Sequence, residues 1–253
     1  MKLNNRVYLA GSGGFGLSHP GDCHVYCIDT GKGYILIDTG CGESTNLILD
    51  NMQADGIELT RIEKVCITHS HRDHAGGTAN IVTALRDNWN APALVYTSEE
   101  EGRLLEKGTP RELGLDLLGL PPDSRKEVFP SWKPDTILSH GTTFSMGDVT
   151  CRVIAVPGHN PECLCYLFDT GKYRMLFPGD VLTVGGYITI GNWPGSRSDL
   201  YRKYIVRLAG YNIQGLFPGH RMWTLRGGQS HIEKAVQAFS GLFPPPNASS
   251  MDW

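Results

Sequence analysis

Hydrophobic and polar positions alternate along this chain in short blocks. Cys23-His24-Val25-Tyr26-Cys27-Ile28 and Gly33-Tyr34-Ile35-Leu36-Ile37-Asp38 read as two strands joined by the turn signal Asp29-Thr30-Gly31-Lys32-Gly33, a hairpin. From Glu43 to Met52 the residues Leu47, Ile48 and Met52 predict a helix, and Lys64-Val65-Cys66-Ile67-Thr68 predicts a buried strand. A helix over Thr78 to Leu85 and a strand over Ala93 to Tyr96 follow. The pattern loosens over 99–135, which holds Glu99-Glu100-Glu101, seven leucines (104, 105, 113, 115, 117, 118 and 120), five prolines (110, 121, 122, 130 and 134) and Trp132. Prolines this dense restrict it to short, stiff pieces, so it reads as an insertion of short helices that acts as a lid or as a cover for a sheet edge. Strands return at Val149 to Val156, Leu164 to Phe168 and Arg174 to Phe177, before a helix over Asp199 to Leu208. The second half thus resembles the first. Two sheets packed face to face and covered by helices, an α/β sandwich of four layers, is the predicted architecture. The tail, 244–253, with its Pro244-Pro245-Pro246 run, is expected to be disordered.

Composition narrows the classes. A formal net charge of −3 supplies no basic field for nucleic acid or anionic membrane. No run approaches the ~18 consecutive apolar residues of a membrane span, and the amino-terminal Val7 to Ala10 run is too short for a signal peptide, so a cytoplasmic location is expected. The seven cysteines are odd in number and scattered through strand-like segments, which predicts reduced core thiols rather than bridges.

Candidate chemistry is concentrated after the buried strand. His69-Ser70-His71-Arg72-Asp73-His74 packs three imidazoles and a carboxylate into six positions, a density core packing does not require. On a strand end His69 and His71 face one side, with Arg72 pointing away, and Asp73 and His74 follow as the chain turns. Neutral imidazole and carboxylate are donors for zinc, or for iron or manganese. Four ligands cannot close two tetrahedral sites. Further donors stand after three Pro-Gly turns, Pro157-Gly158-His159, Pro178-Gly179-Asp180 and Pro218-Gly219-His220, each following an apolar strand. His19, His24, His140 and His231 read as ordinary non-ligand histidines.

The HxHxDH run, the later Gly-Asp and the two Pro-Gly-His turns, in this order, resemble the metallo-β-lactamase superfamily from Leu36-Ile37-Asp38-Thr39-Gly40 to His220, with 99–135 least matched. The resemblance implies a four-layer αββα metallo-β-lactamase sandwich over residues 1–243 as a single domain. It also implies two divalent ions, most readily Zn2+: His69, His71 and His159 would hold the first, Asp73, His74 and His220 the second, and Asp180 would bridge them. Asp38 would orient a ligand histidine, and Asp73 would also serve catalysis. The expected activity is hydrolysis of an ester-type bond, thioester or lactone, by a metal-bridging hydroxide, on a small-molecule substrate with an apolar acyl or aromatic arm. THxHxDHxGG resembles the glyoxalase II-like and lactonase-like branches, and Asp180 sets the chain apart from true β-lactamases. Residues 181–187 lack the glutathione-holding pattern of glyoxalase II, and Thr183 stands where lactonases carry a tyrosine, a role open to Tyr187 only if the loop differs. The competing readings are a phosphodiesterase or β-lactamase-like hydrolase, a mononuclear iron sulfur-dioxygenase-like enzyme, and a non-catalytic metal-bearing binding protein.

Overall fold

The computed structural model describes residues 1–119 and 125–250. Two compact units compose it, Met1–Leu138 with Met146–Asp148, and Ser139–Ser145 with the chain from Val149 onward.

The first unit carries a sheet whose strands lie side by side in chain order: β1 (Val7–Gly11), β2 (Val25–Asp29), β3 (Tyr34–Ile37), β4 (Ile62–Cys66), β5 (Leu94–Thr97) and β6 (Thr136–Ile137). The predicted hairpin is β2 and β3, paired antiparallel with Cys27 opposite Leu36. From β3 to β6 the pairing is parallel, and parallel neighbours need a crossover. Helices α1 (Thr45–Ala54) and α3 (Thr78–Trp89) supply the first two, while the short α2 (Arg72–Ala75) follows the end of β4. One expectation for α1 fails: Leu47 is exposed, and the buried face is Ile48, Leu49 and Met52. At 100° per residue Leu47 lies about 140° around the helix from Met52, whereas Leu49 and Ile48 stand one turn behind it.

Within 99–135 the chain forms α4 (Glu99–Lys107), a 3-10 turn at Leu115–Leu118 and α5 (Arg125–Val128). Leu104, Leu105, Leu113 and Leu115 are buried and join the core of this unit together with Phe129. Trp132 packs against the same core, with the Arg86 guanidinium 5.3 Å from its ring centroid. Leu117 and Leu118 alone among the described leucines of the stretch are exposed. Leu120, Pro121 and Pro122 lie outside the described residues.

The second unit has the sheet order β11-β10-β9-β8-β7, from β7 (Thr143–Met146), β8 (Val149–Ala155), β9 (Leu164–Asp169), β10 (Arg174–Phe177) and β11 (Gly215–Leu216). β8, β9 and β10 pair antiparallel, and β11 joins β10 in parallel. The predicted helix is α6 (Ser198–Tyr204), continued by a 3-10 turn at Ile205–Leu208. A further helix, α7 (Gly228–Ser240), buries Ile232, Ala235 and Phe239, a face too sparse in large apolar residues to stand out beforehand. The tail differs from expectation up to residue 248. Ala248 N–H donates to the Ile188 carbonyl at 2.7 Å, Ile188 N–H donates to the Pro246 carbonyl, and the Asn247 amide pairs with both backbone groups of Ile190. Composition hides this because the pairing is made by backbone groups of Pro246 and Ala248 and one asparagine side chain. Among the described residues no helix is long and apolar enough to cross a membrane.

Candidate metal centre

Each unit carries part of the candidate donor set. In the first, the chain leaves β4 at Cys66 and enters the histidine loop. Asp38, at the end of β3, has φ of 59°, a left-handed conformation that aspartate tolerates better than most side chains. Its buried carboxylate accepts the Thr68 N–H (2.7 Å), the Thr68 hydroxyl (2.8 Å) and His74 Nδ1 (2.8 Å). Because a carboxylate can only accept, the Thr68 proton points at Asp38. The Thr68 oxygen is then left to accept from His69 Nδ1 at 3.0 Å. One buried aspartate therefore fixes the tautomers of His69 and His74, so that in both rings Nε2 keeps its lone pair.

Those lone pairs meet partners that suit a cation. His69 Nε2 stands 3.1 Å from His71 Nδ1, and His74 Nε2 stands 3.5 Å from Asp73 Oδ2. Two imidazoles bound tetrahedrally at ~2.05 Å would hold their nitrogens about 3.3 Å apart. Between His69 and His71, Ser70 is tethered to α4. Glu101, fully buried, accepts its N–H at 2.8 Å and its hydroxyl at 2.6 Å. The glycines after the cluster let the loop lie against the β3 end: a Cβ on Gly77 would sit 2.3 Å from the Thr39 carbonyl oxygen. Arg72 turns outward to Glu43 and the Val128 carbonyl. Burial pushes the Cys23 thiol well above its usual range, with nearby His74 opposing, so it stays protonated; its N–H donates to the Asp73 carbonyl.

In the second unit the three Pro-Gly turns follow β8, β10 and β11. Gly158 has φ of 143°, and a Cβ there would meet the Tyr201 ring at 2.5 Å. The Gly219 N–H donates to the Gly179 carbonyl, and Phe177 and Phe217 stack at 5.0 Å, which locks the turns at 178 and 218 together. His159 Nδ1 lies 2.8 Å from the Thr189 carbonyl, an acceptor only, so Nε2 again carries the lone pair. Asp180 Oδ2 then stands 3.7 Å from His159 Nε2 and 3.6 Å from His220 Nε2. Tyr201, its phenol held protonated by burial, shares its proton between the Asp180 carbonyl (3.3 Å) and the Thr189 carbonyl (3.0 Å). Trp193 Nε1 donates to the His159 carbonyl at 2.7 Å.

A family model described as the metallo-beta-lactamase superfamily matches residues 19–225. The chain belongs to the metallo-β-lactamase superfamily. It is 28% identical over 173 residues to an atrochrysone carboxyl ACP thioesterase of Passalora fulva, covering 66% of this chain and 40% of that protein. It is 24% identical over 214 residues to a hydroxyacylglutathione hydrolase of Francisella philomiragia, covering 80% and 66%. The chain thus spans less than half the length of the first of these relatives. In fold it matches BJP-1, a subclass B3 metallo-beta-lactamase of Bradyrhizobium japonicum, with a TM-score of 0.67 at 22% identity, covering 95% of this chain and 91% of that one. The mixed α/β class expected from the sequence is the class of these neighbours.

The metallo-β-lactamase fold implies a divalent metal, and the donors fit one. They are five imidazoles, three of them (His69, His74 and His159) with tautomers set from behind, and two carboxylates beside them, with no thiolate among the seven. Three of the four remaining histidines are occupied elsewhere: His24 stacks on Phe15, His140 Nδ1 accepts from Ala155 N–H, and His231 Nδ1 accepts from Gly185 N–H; the fourth, His19, lies beside Cys41. Sequence reasoning missed Glu101, Thr189, Tyr201 and Trp193. Glu101 had one visible trace, as the only member of an acidic triplet on the buried side of α4.

Proposed function

We propose that this chain is a hydrolase of ester-type bonds, with thioesters the favoured class, that works through two divalent ions, zinc first. One observation carries the reading above the others: Asp180 Oδ2 stands within 3.7 Å of both His159 Nε2 and His220 Nε2, a placement from which Asp180 would serve two ions. On this reading His69, His71 and His159 hold one ion, Asp73, His74 and His220 hold the other, and Asp180 serves both, with residues 1–243 acting as one domain. Divalent ions held there would polarise the scissile carbonyl and bring the pKa of water down to about 7. Asp73, whose side chain is one-third exposed, takes up and returns the proton at Oδ2. Asp38, directly and through Thr68, and the Thr189 carbonyl keep the protons of His74, His69 and His159 on Nδ1 throughout. The substrate class draws on the thioesterase and acylglutathione-hydrolase names of the relatives. A lactone is less favoured, because Thr183 is buried and offers no phenol. Among the described residues of 99–135, Leu117 and Leu118 are the exposed large apolar groups, and on this reading they would supply contact for an acyl arm. Seven buried thiols suit a reducing compartment, the cytoplasm.

The test pairs elemental analysis with a panel of thioesters, lactones and phosphodiesters. At least two metal equivalents per chain and fastest turnover of thioesters are expected. One tightly held ion in a fully active enzyme would overturn the dinuclear assignment, and preference for phosphodiesters would overturn the substrate class. Leu117→Asp should raise KM for long acyl thioesters and leave short ones unchanged.

A further inference from the structure

We propose that His19, Asp22 and Cys41 form an additional metal site, built for a divalent ion of the zinc class and separate from the seven-residue centre. One ring nitrogen, one carboxylate oxygen and the sulfur lie within 4.8 Å of one another, all in the first unit. The set joins thiolate, imidazole and carboxylate, donors that select zinc over magnesium or calcium.

The second observation is the state of Asp22. The residue is 3% exposed, and its Oδ2 is buried without a hydrogen-bond partner. Its Oδ1 is held by the Cys41 N–H at 2.8 Å. A carboxylate with one oxygen anchored and the other bare, beside a buried sulfur, is costly unless a cation is nearby. The backbone makes room for this arrangement. Gly40 has φ of 72°, and a Cβ on it would lie 2.7 Å from Asp22 Oδ1, so any other residue would push the carboxylate away from Cys41.

Without metal, burial and the neighbouring Asp22 push the Cys41 thiol up to about 12, and it lies 3.4 Å from His19 Nδ1. An ion entering the site displaces the thiol proton to solvent and takes the sulfur as thiolate. The Gly21 N–H, which now donates to His19 Nδ1 at 3.0 Å, passes to water, which it can reach because Gly21 is exposed. The two positive charges of the ion are then cancelled by thiolate and carboxylate, leaving the buried cluster neutral. His19 is half-buried, so the fourth position opens to solvent. The ion would tie the β1–β2 connection to the turn after β3, one residue before Cys23, whose N–H holds the Asp73 carbonyl.

Cobalt(II) tests this directly on the full chain, kept reduced and free of oxygen. None of the seven residues assigned to the centre contains sulfur, so a sulfur-to-cobalt charge-transfer absorption reports a different site. The expected result is such a band, saturating with one equivalent beyond those taken by the centre. It should be absent in Cys41→Ser and need at least about tenfold more cobalt in Asp22→Asn and His19→Gln. It should persist in Cys23→Ala, which removes the other thiol near a histidine and a carboxylate. A wild-type protein without the band overturns the site, as does a band that survives Cys41→Ser or depends on Cys23. If Cys41→Ser does not fold, the half-exposed His19→Gln decides, because unchanged affinity there also overturns the site.

Discussion

The histidine loop of the first unit and the Pro-Gly turns of the second meet the same demand in opposite ways. The loop gathers four proposed donors within six residues and steadies them with buried charge: Asp38 grips His74 and, through Thr68, His69, while Glu101 grips Ser70. The turns bring three proposed donors from strand ends up to 61 positions apart in the sequence and steady them with backbone, carbonyls from Thr189 and Gly179 and glycines that admit close approach. Contiguous ligands need carboxylates behind them because the loop between them has no ladder of its own. Ligands that follow strands inherit their rigidity from the sheet. The loop should therefore be sensitive to neutralising isosteres at positions that touch no ion, and the turns should not.

The largest effect is expected at the donor the two proposed ions share. Asp180→Asn should lower metal content and reduce turnover on the order of 10³-fold, the several kcal/mol attributed to Lewis-acid stabilisation at ~1.4 kcal/mol per decade. Full metal content with full rate would remove Asp180 from the centre. Next stands Asp38→Asn, which keeps the left-handed backbone but loses the charge. Ten- to hundredfold weaker metal binding is the expected range for such a partner, measured by competition with a chelator. If affinity does not move, the loop does not depend on buried charge.

Glu101→Gln sharpens the comparison at a residue farther from any donor. Loss of a charged acceptor for two buried hydrogen bonds should cost about 1–3 kcal/mol in denaturant unfolding, with metal affinity falling by less than in Asp38→Asn. The smallest effect belongs to the second unit. Tyr201→Phe removes one hydroxyl shared by two carbonyls and leaves the His159–Thr189 bond intact, so about 1 kcal/mol of stability and no change in metal content are expected. A large metal loss in Tyr201→Phe would erase the distinction between the two regions.

Legibility in the sequence follows the same division. The hairpin, β4 and the HxHxDH run could be read because their signals are contiguous, and the Pro-Gly turns because a motif recurs. Asp38 was readable only through the family resemblance. Glu101 is not singled out, since its partner lies 31 residues away and its one trace, standing three and four positions before Leu104 and Leu105, separates it from Glu99 and Glu100 only once the helix is wound. Leu47 misled because a five-residue spacing looks periodic until the helix is wound. In 99–135 composition predicts burial but not which leucines are buried: Leu115 enters the core while Leu117, two positions on, is exposed.

β11 is two residues long and forms the sheet edge, and among the described residues Leu216 is bridged on its outer side to Thr224. What holds so short an edge against opening is therefore concentrated beyond the strand itself, in the Phe177–Phe217 stack and the Gly219 N–H to Gly179 carbonyl bond. On the proposed assignment His220 depends on that clasp for its place beside Asp180, so weakening the clasp would quicken metal exchange without touching a donor.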